Sequence, residues 1–494
     1  MNIRYLFILL LLLPVSCRYK IPRETRDSQP LNVLLITLDD MGYSTTGAEG
    51  SSVPGITPHI DQLARDGIMF THGFVVSPIC GPSRSVMLSG RYPHNNGVMG
   101  HGEQPPPLWQ QPEVVTPTIS KYLHGMGYTT GAILKNNREI NNVWDIRYHE
   151  LPYGMGFHDR NPDSFYKRTK AFITSAREQK KPFFLYANPI DPHRPWVNTS
   201  QEQQMLQQWN PERPYPAPSR KYTPEEIEVP HFLPDLPGIR KNLVPYYESL
   251  HRGDECIGGI IRALDESGES EHTIVIFLSD HGMAATGAKA TLYHDGIRTP
   301  LIVRWPGIVK EGQVDDSTIV SSVDIVPTLL EAIGAPPVNG LDGISFYHQI
   351  TGEPTQSPRE YAYTATNYYN QSTPEEFLPQ RAIIDKEYCY IFNSYVKRSK
   401  GTQSYRDGWM DVVQPALDGN HPQFSQKVHS ILHKPVEELY DLNADPGCWN
   451  NLAGLPEYAG VLNRYRERLE SEMLSSHDPE LTQLIALITT SKRS

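Results

Sequence analysis

A chain of 494 residues is too long for one small core, so a large domain with a smaller companion is expected. Charged residues at 20% and hydrophobic ones at 38% give the balance of an ordinary globular protein, which excludes a chain disordered throughout or embedded in a membrane. The formal net charge of -11 excludes a broad basic face for nucleic acid and leaves room for a local basic pocket around one anion.

Residues 1–17 read as an export signal. Arg4 supplies the positive charge, and the apolar run Leu6 to Leu13 is too short to span a bilayer. The segment ends Leu13-Pro14-Val15-Ser16-Cys17, which resembles a bacterial lipoprotein processing site at which Cys17 is acylated and becomes the new N-terminus; the plainer reading is a signal peptide with an incidental cysteine. Either way the mature protein is exported, to the periplasm or the cell surface of a bacterium, and a lipid on Cys17 is its only expected tie to a membrane. Residues 18–30 form a polar linker.

The run Asn32-Val33-Leu34-Leu35-Ile36-Thr37-Leu38 is almost continuously apolar and β-branched, as a strand buried on both faces would be, and Asp39-Asp40 stand at its carboxyl end. Similar runs recur at Phe183 to Ala187 and Thr273 to Leu278, with helix-like segments at His59 to Asp66 and Pro117 to Met126 between them. The pattern predicts an α/β fold, a large sheet sandwiched by helices. In such sheets ligands gather beyond the carboxyl ends of the strands, where Asp39, Asp40, Asp280 and His281 would lie. Pro- and Gln-rich stretches, Gln104 to Pro112 and Gln201 to Pro230, read as long surface loops walling a cleft. From Gly352 the pattern changes to short strands, Arg381 to Ile384 and Tyr388 to Phe392, and a terminal helix around Tyr458 to Met473. Residues 31–351 are accordingly assigned to a catalytic domain and 352–494 to a smaller C-terminal α+β domain.

Beyond Cys17 only Cys80, Cys256, Cys389 and Cys448 remain, without a CxxC pair, so neither a zinc site nor a disulfide framework is indicated. A lone cysteine usually ends as a small buried hydrophobe. Cys80, however, opens Cys80-Gly81-Pro82-Ser83-Arg84, followed by Leu88-Ser89-Gly90-Arg91. This matches the Cys-x-Pro-Ser-Arg signature of the formylglycine-dependent sulfatases, and the chain resembles that family over most of its length. Asp39-Asp40, Phe183 to Tyr186, Asp191-Pro192-His193-Arg194, Ser279-Asp280-His281-Gly282, Asp324 to Thr328 and Glu438 to Asp441 follow its pattern in order. Within the family it is most similar to the heparan N-sulfatase (sulfamidase) branch, through His94-Asn95-Asn96-Gly97, Val229 to Pro234 and Ser476-His477-Asp478-Pro479.

The resemblance implies an alkaline-phosphatase-like fold and hydrolysis of a sulfate ester or sulfamate. Anionic sulfuryl oxygens repel nucleophiles, so such a site must concentrate positive charge around the sulfur. A hard dication prefers oxygen ligands, and the family pattern places one calcium ion on Asp39, Asp40, Asp280 and the side chain at position 80. His281 fits either a metal ligand or a hydrogen bond to the sulfate. An unmodified thiol suits a calcium site poorly, and the family converts it to formylglycine (3-oxoalanine) with a separate maturase. The aldehyde hydrate then offers one hydroxyl to attack sulfur and a second whose deprotonation expels sulfate. Arg84, one helical turn on, would hold the hydrate; Lys135, His193 and Lys289 fall where relatives carry residues that contact sulfate or move protons. Either lysine alone reads equally well as a solvated surface side chain, and Asp39-Asp40 as a strand-end turn.

Two positions depart from the pattern. Asn137 stands where the sulfamidase branch has a His after the active-site Lys, and Ile190 replaces the first His of a His-x-x-His pair, leaving His193. General acids and bases contribute roughly 10²–10⁴-fold each, so His193, His149, His158 or His294 would have to substitute. The leading expectation is an exported sulfatase of a sulfated saccharide, of glycosaminoglycan or algal origin, with loop aromatics such as Trp109, Trp144, Trp196, Tyr368 and Tyr369 suited to a carbohydrate cleft. A phosphomonoester or phosphonate hydrolase of the same superfamily, and a catalytically weak glycan-binding lipoprotein, are the alternatives.

Overall fold

The computed structural model describes residues 30–101, 117–135, 140–148, 159–209, 215–353, 357–368, 378–394, 410–419 and 421–491. Cys17 and the export segment, the Gln104 to Pro112 stretch, Trp109, Asn137, His149, His158 and Tyr369 lie outside the described residues.

Eight strands build the main sheet: β1 (Asn32–Leu38), β2 (Ile68–Phe74), β3 (Thr129–Leu134), β4 (Ile146–Tyr148), β5 (Phe183–Asn188), β6 (Thr273–Ser279), β7 (Arg298–Arg304) and β8 (Gln313–Ser321), in the order β4-β3-β5-β1-β6-β7-β2-β8. Strands β4 to β6 in that order pair in parallel; β7 pairs antiparallel with both of its neighbours, and β2 with β8 is parallel again. One reversed strand therefore makes the sheet mixed.

Alternate residues along the central strands feed two cores, which explains the continuous apolar runs. Val33, Leu35, Phe184, Tyr186, Ile274 and Ile276 enter one core with Met87 and Leu88 of the helix Cys80–Ser89. Leu34, Ile36, Leu185, Ala187, Val275 and Phe277 enter the other, under the helices Pro162–Glu178 and Pro237–Ser267. Burying each such Val, Leu, Ile or Phe side chain contributes about 1.5–3 kcal/mol. The fit is close: a Cβ on Gly131 in β3 would lie 2.3 Å from the Phe172 ring.

Strands β9 (Ala362–Thr366), β10 (Gln380–Ile384), β11 (Tyr388–Asn393) and β12 (Glu437–Asp441) form a second, antiparallel sheet in the order β12-β11-β10-β9. One face, with Tyr363, Ile383, Tyr390 and Leu439, packs under the helix Ala459–Ser475 through Leu462, Tyr465, Leu469 and Met473. The other face, with Ala362, Ala382, Ile384, Cys389 and Ile391, joins the core of the main sheet. Residues 31–494 accordingly form one compact unit.

Two motifs distant in sequence meet beside this second sheet. The His94 Nε2 and Ser476 carbonyl are 3.1 Å apart, Asn95 Nδ2 donates to the same carbonyl, and Asp478 accepts from Arg381 Nε at 2.6 Å and from the Tyr363 hydroxyl. One expectation fails: within Gln201 to Pro230, residues Ser200–Trp209 are helical and Tyr222 and Ile227 are buried. The prolines begin only after Trp209, and the residues before them are good helix formers.

Candidate active site

The carboxyl ends of β1, β3, β5 and β6 and the start of the helix Cys80–Ser89 converge. Asp39 and Asp40 leave β1 side by side, both buried. The chain can turn there because Asp40 adopts φ 67°, a left-handed conformation that Asp tolerates better than most residues. The turn is pinned to β6: Asp40 N donates to Asp280 Oδ1 (3.1 Å), Asp280 N to the Leu38 carbonyl (3.1 Å) and Met41 N to Ser279 Oγ (3.1 Å). Gly282 follows His281 where a Cβ would lie 1.8 Å from the Asp295 carbonyl oxygen, so only glycine fits.

Cys80 is the first residue of its helix and every residue of that helix is buried. Its Sγ lies 3.2 Å from His281 Nε2, 3.5 Å from Lys289 Nζ and 3.6 Å from Asp39 Oδ1. Arg84, one turn on, donates from Nη2 to Asp39 Oδ2 (2.9 Å), from Nε to Asp280 Oδ2 (3.0 Å), and from Nη1 to Thr37 Oγ1, the Tyr186 hydroxyl and Asn188 Oδ1 (2.7, 2.9 and 2.6 Å). Lys135 pairs with Asp39 Oδ2, and Lys289 Nζ donates to Asp40 Oδ1 at 2.5 Å. His193 presents Nε2 to Asp39 Oδ1 at 4.0 Å while its Nδ1 faces the Arg194 carbonyl at 2.6 Å. The loop carrying His193 is held by buried charge: Asp191 pairs with both Arg160 and Arg252, Arg252 reaches Glu202 at 3.0 Å, and Arg160 Nη2 donates to the His193 carbonyl at 3.0 Å.

The electrostatics follow from this packing. Burial and the Asp39 carboxylate push the Cys80 thiol up, but Lys135, Lys289 and His281 outweigh them and hold it well below the ordinary thiol range. Burial would likewise raise Asp39, which Lys135 and Arg84 instead hold far down. Asp280 keeps less compensation: burial and the neighbouring Asp39 charge push its carboxyl up to about 6. Burial opposes charge on His281, yet Asp280 and Cys80 raise it to about 9.

Two described groups can hold a metal ion, Asp39 with Cys80, Asp280 and His281, and Asp39 with Asp40, Cys80 and His193; within each the donor atoms all lie within 4.8 Å of one another. The donors suit a hard dication: three buried carboxylates supply oxygen, and the raised Asp280 marks negative charge that fixed cations leave incompletely balanced.

All nine residues expected at the site, Asp39, Asp40, Cys80, Arg84, Lys135, His193, Asp280, His281 and Lys289, are brought together here. Neither lysine is a surface side chain, and Lys289 is only 2% exposed. Ile190 is buried in apolar core. His294 faces Arg298 Nη1 and the Pro446 carbonyl rather than this cluster. Trp196 is buried against Tyr246, and Trp144 stacks on Phe184 and Tyr186, so these two aromatics are packing residues, not cleft walls. Thr37, Tyr186 and Asn188, the acceptors around Arg84, were not expected; each reads in sequence as an ordinary strand residue.

Residues 31–335 match the family model described as Sulfatase, and residues 282–405 match that described as N-sulphoglucosamine sulphohydrolase, C-terminal. The N-sulphoglucosamine sulphohydrolase of Homo sapiens is 27% identical over 489 residues, spanning 94% of each chain. An ulvan-active sulfatase of Formosa agariphila is 26% identical over 519 residues, 95% of this chain and 81% of its own. Among solved structures, one in complex with its substrate D-glucosamine-2-N,6-O-disulfate superposes with TM-score 0.66 at 19% identity, covering 92% of this chain and 99% of that one, a likeness of fold.

Proposed function

This chain belongs to the sulfatase family, and from that premise we propose that it hydrolyses a sulfamate or sulfate ester on a sugar of a glycosaminoglycan or another sulfated glycan, with formylglycine at position 80 and one calcium ion. The observation that carries the reading is the surroundings of Cys80: a buried side chain at a helix start, within 3.6 Å of Asp39, His281 and Lys289. A structural cysteine has no need of three charged neighbours.

Asp39, Asp40, Asp280 and the side chain at position 80 would hold the ion, with His281 beside them. Bound there, calcium would neutralise sulfuryl charge, and formylglycine as its hydrate would supply the attacking hydroxyl. The chain's own residues do the rest. Lys135 and Lys289 place two ammonium groups where sulfate oxygens would rest, and Arg84 fixes the carboxylates on either side of position 80. His193 has its Nδ1 occupied by the Arg194 carbonyl, which leaves Nε2 to exchange a proton with the reacting groups. Over a whole turnover one water is consumed: the equivalent of its hydroxyl leaves on sulfur as sulfate, and its proton ends on the departing amine or hydroxyl.

The wider reading includes export, acylation of Cys17 as the sole membrane tie, a maturase acting on Cys80, and a division between a catalytic part, 31–351, and a smaller part, 352–494. N-sulfated glucosamine is the first substrate to try, because the match over residues 282–405 and the human relative both carry that name. Mass spectrometry of the Cys80 peptide tests the nucleophile: after coexpression with a maturase the peptide should be lighter by about 18 Da, thiol replaced by aldehyde. An intact thiol there would argue for the second reading that Ile190 favours, a calcium-holding glycan binder of low turnover. Paired sulfate and phosphate esters separate a sulfatase from a phosphomonoester or phosphonate hydrolase.

A further inference from the structure

Asn188 ends β5 and is fully buried. Its amide orientation is dictated by its neighbours. Oδ1 meets two donors, Arg84 Nη1 at 2.6 Å and the Thr37 hydroxyl at 2.5 Å. Nδ2 meets only carbonyl oxygens, of Lys135 at 3.1 Å and of Ile133 and Tyr186 at 3.2 Å. Since guanidinium has no acceptor and a backbone carbonyl no donor, the reverse orientation would lose contacts on both sides.

Two of the gripped carbonyls, of Ile133 in β3 and of Lys135 just beyond it, flank Leu134, whose φ of 64° is one that an L-residue rarely takes. That turn is what carries Lys135 out of the strand and toward Asp39. The same carboxamide thus holds the backbone of Lys135 from one end and the guanidinium of Arg84 from the other. Asp39 lies between the two charges, taking Lys135 and Arg84 on the same Oδ2. None of the hydrogen bonds of Asn188 goes to Asp39, Asp40, Asp280 or Cys80.

We propose that Asn188 is a positioning residue that sets the spacing of Lys135 and Arg84 about Asp39. The inference rests on the sulfatase reading. An Ala here would remove the amide that donates to the Ile133 and Lys135 carbonyls and leave the strained turn at Leu134 without that clamp. The lysine would then drift from its place, and small misplacements of charge around a reacting group reduce turnover steeply.

The test is a double-mutant cycle on the matured protein, with release of sulfate from glucosamine N-sulfate as the readout and circular dichroism confirming the fold. Asn188→Ala should lower kcat by about tenfold to a hundredfold with KM changed by less than about threefold. In a Lys135→Ala background the further loss from Asn188→Ala should shrink to about a third or less of that, because one of the two charges whose spacing it sets is gone. Asn188→Asp, which keeps a contact to Arg84 but turns an oxygen against three carbonyl oxygens, should behave like the Ala variant. If Asn188→Ala does not fold, Asn188→Ser carries the same cycle. A folded variant with kcat within about threefold of the parent, or an equal loss in both backgrounds, overturns the assignment. A parent that releases no sulfate from any sulfated sugar refutes the sulfatase reading and this inference together; an active parent with indifferent Asn188 variants refutes the inference alone.

Discussion

The Lys289 ammonium lies 3.5 Å from the sulfur of Cys80 and 2.5 Å from Asp40 Oδ1. It bridges the side chain at position 80, at the start of a helix, and a carboxylate just beyond the end of β1. Lys289→Met keeps the length of the stem and removes the charge. Its kcat/KM should fall by about 10²–10³, the usual cost of losing one electrostatic stabiliser of a transition state. A loss smaller than about tenfold in an assay of sulfate release would take Lys289 out of the site.

Cys80→Ala should leave no measurable turnover, a drop of roughly a thousandfold or more, because the proposed reaction takes its attacking hydroxyl from position 80 alone. The fold should survive, since the lost sulfur leaves only a small void worth about 1 kcal/mol. Residual sulfatase activity near the parent level, with an unchanged circular dichroism spectrum, would show that the nucleophile lies elsewhere.

Dialysis against a calcium chelator should lower the melting temperature, and added calcium should restore it. At a hundredfold excess over its dissociation constant a bound ion stabilises by about 2.7 kcal/mol. Asp280→Ala should abolish both the shift and the calorimetric binding signal. Asp280 is the informative carboxylate because burial and Asp39 push it up to about 6, so it gains most from a dication. Calcium binding that survives the substitution undiminished would remove Asp280 from the ligand set.

Asp478 gives a pH test far from the chemistry. Burial alone would raise its carboxyl, but Arg381 and His94 hold it down to about 2. The folded value is below the unfolded value of about 3.9, so the stabilisation is complete above that pH and disappears as pH falls through about 2. Asp478→Asn should cost about 3–5 kcal/mol at neutral pH by stranding buried Arg381. Its deficit against the parent should narrow between about pH 4 and pH 2 in urea titrations. A deficit that stays constant across that window would mean the pair is not charged in the fold.

Local patterns carried much of the site. Cys80, Pro82, Ser83 and Arg84 stand in one short run, and Asp39, Asp40 and Asp280 follow apolar strands whose two buried faces the sequence displays openly. Strand ends also marked where the buried charges would gather. What stayed hidden is what only the third dimension joins. Asn188 looks like the last residue of a strand, and its bonds run to Arg84, 104 residues away, and to Lys135, 53 away. The Arg160–Asp191–Arg252 network spans 31 and 61 residues, with nothing in its spacing to announce it. Trp196 misled for the complementary reason: an aromatic in a loop suits a sugar, yet this loop folds inward and the ring is spent on Tyr246.

The second sheet gives one of its faces to the core of the first, through Ala362, Ala382, Ile384, Cys389 and Ile391. Heat cannot therefore melt one sheet and spare the other without wetting that common interior. A scanning calorimeter should record a single endotherm for residues 31–494, and a chain shortened before β9 would be left with a raw, aggregation-prone flank.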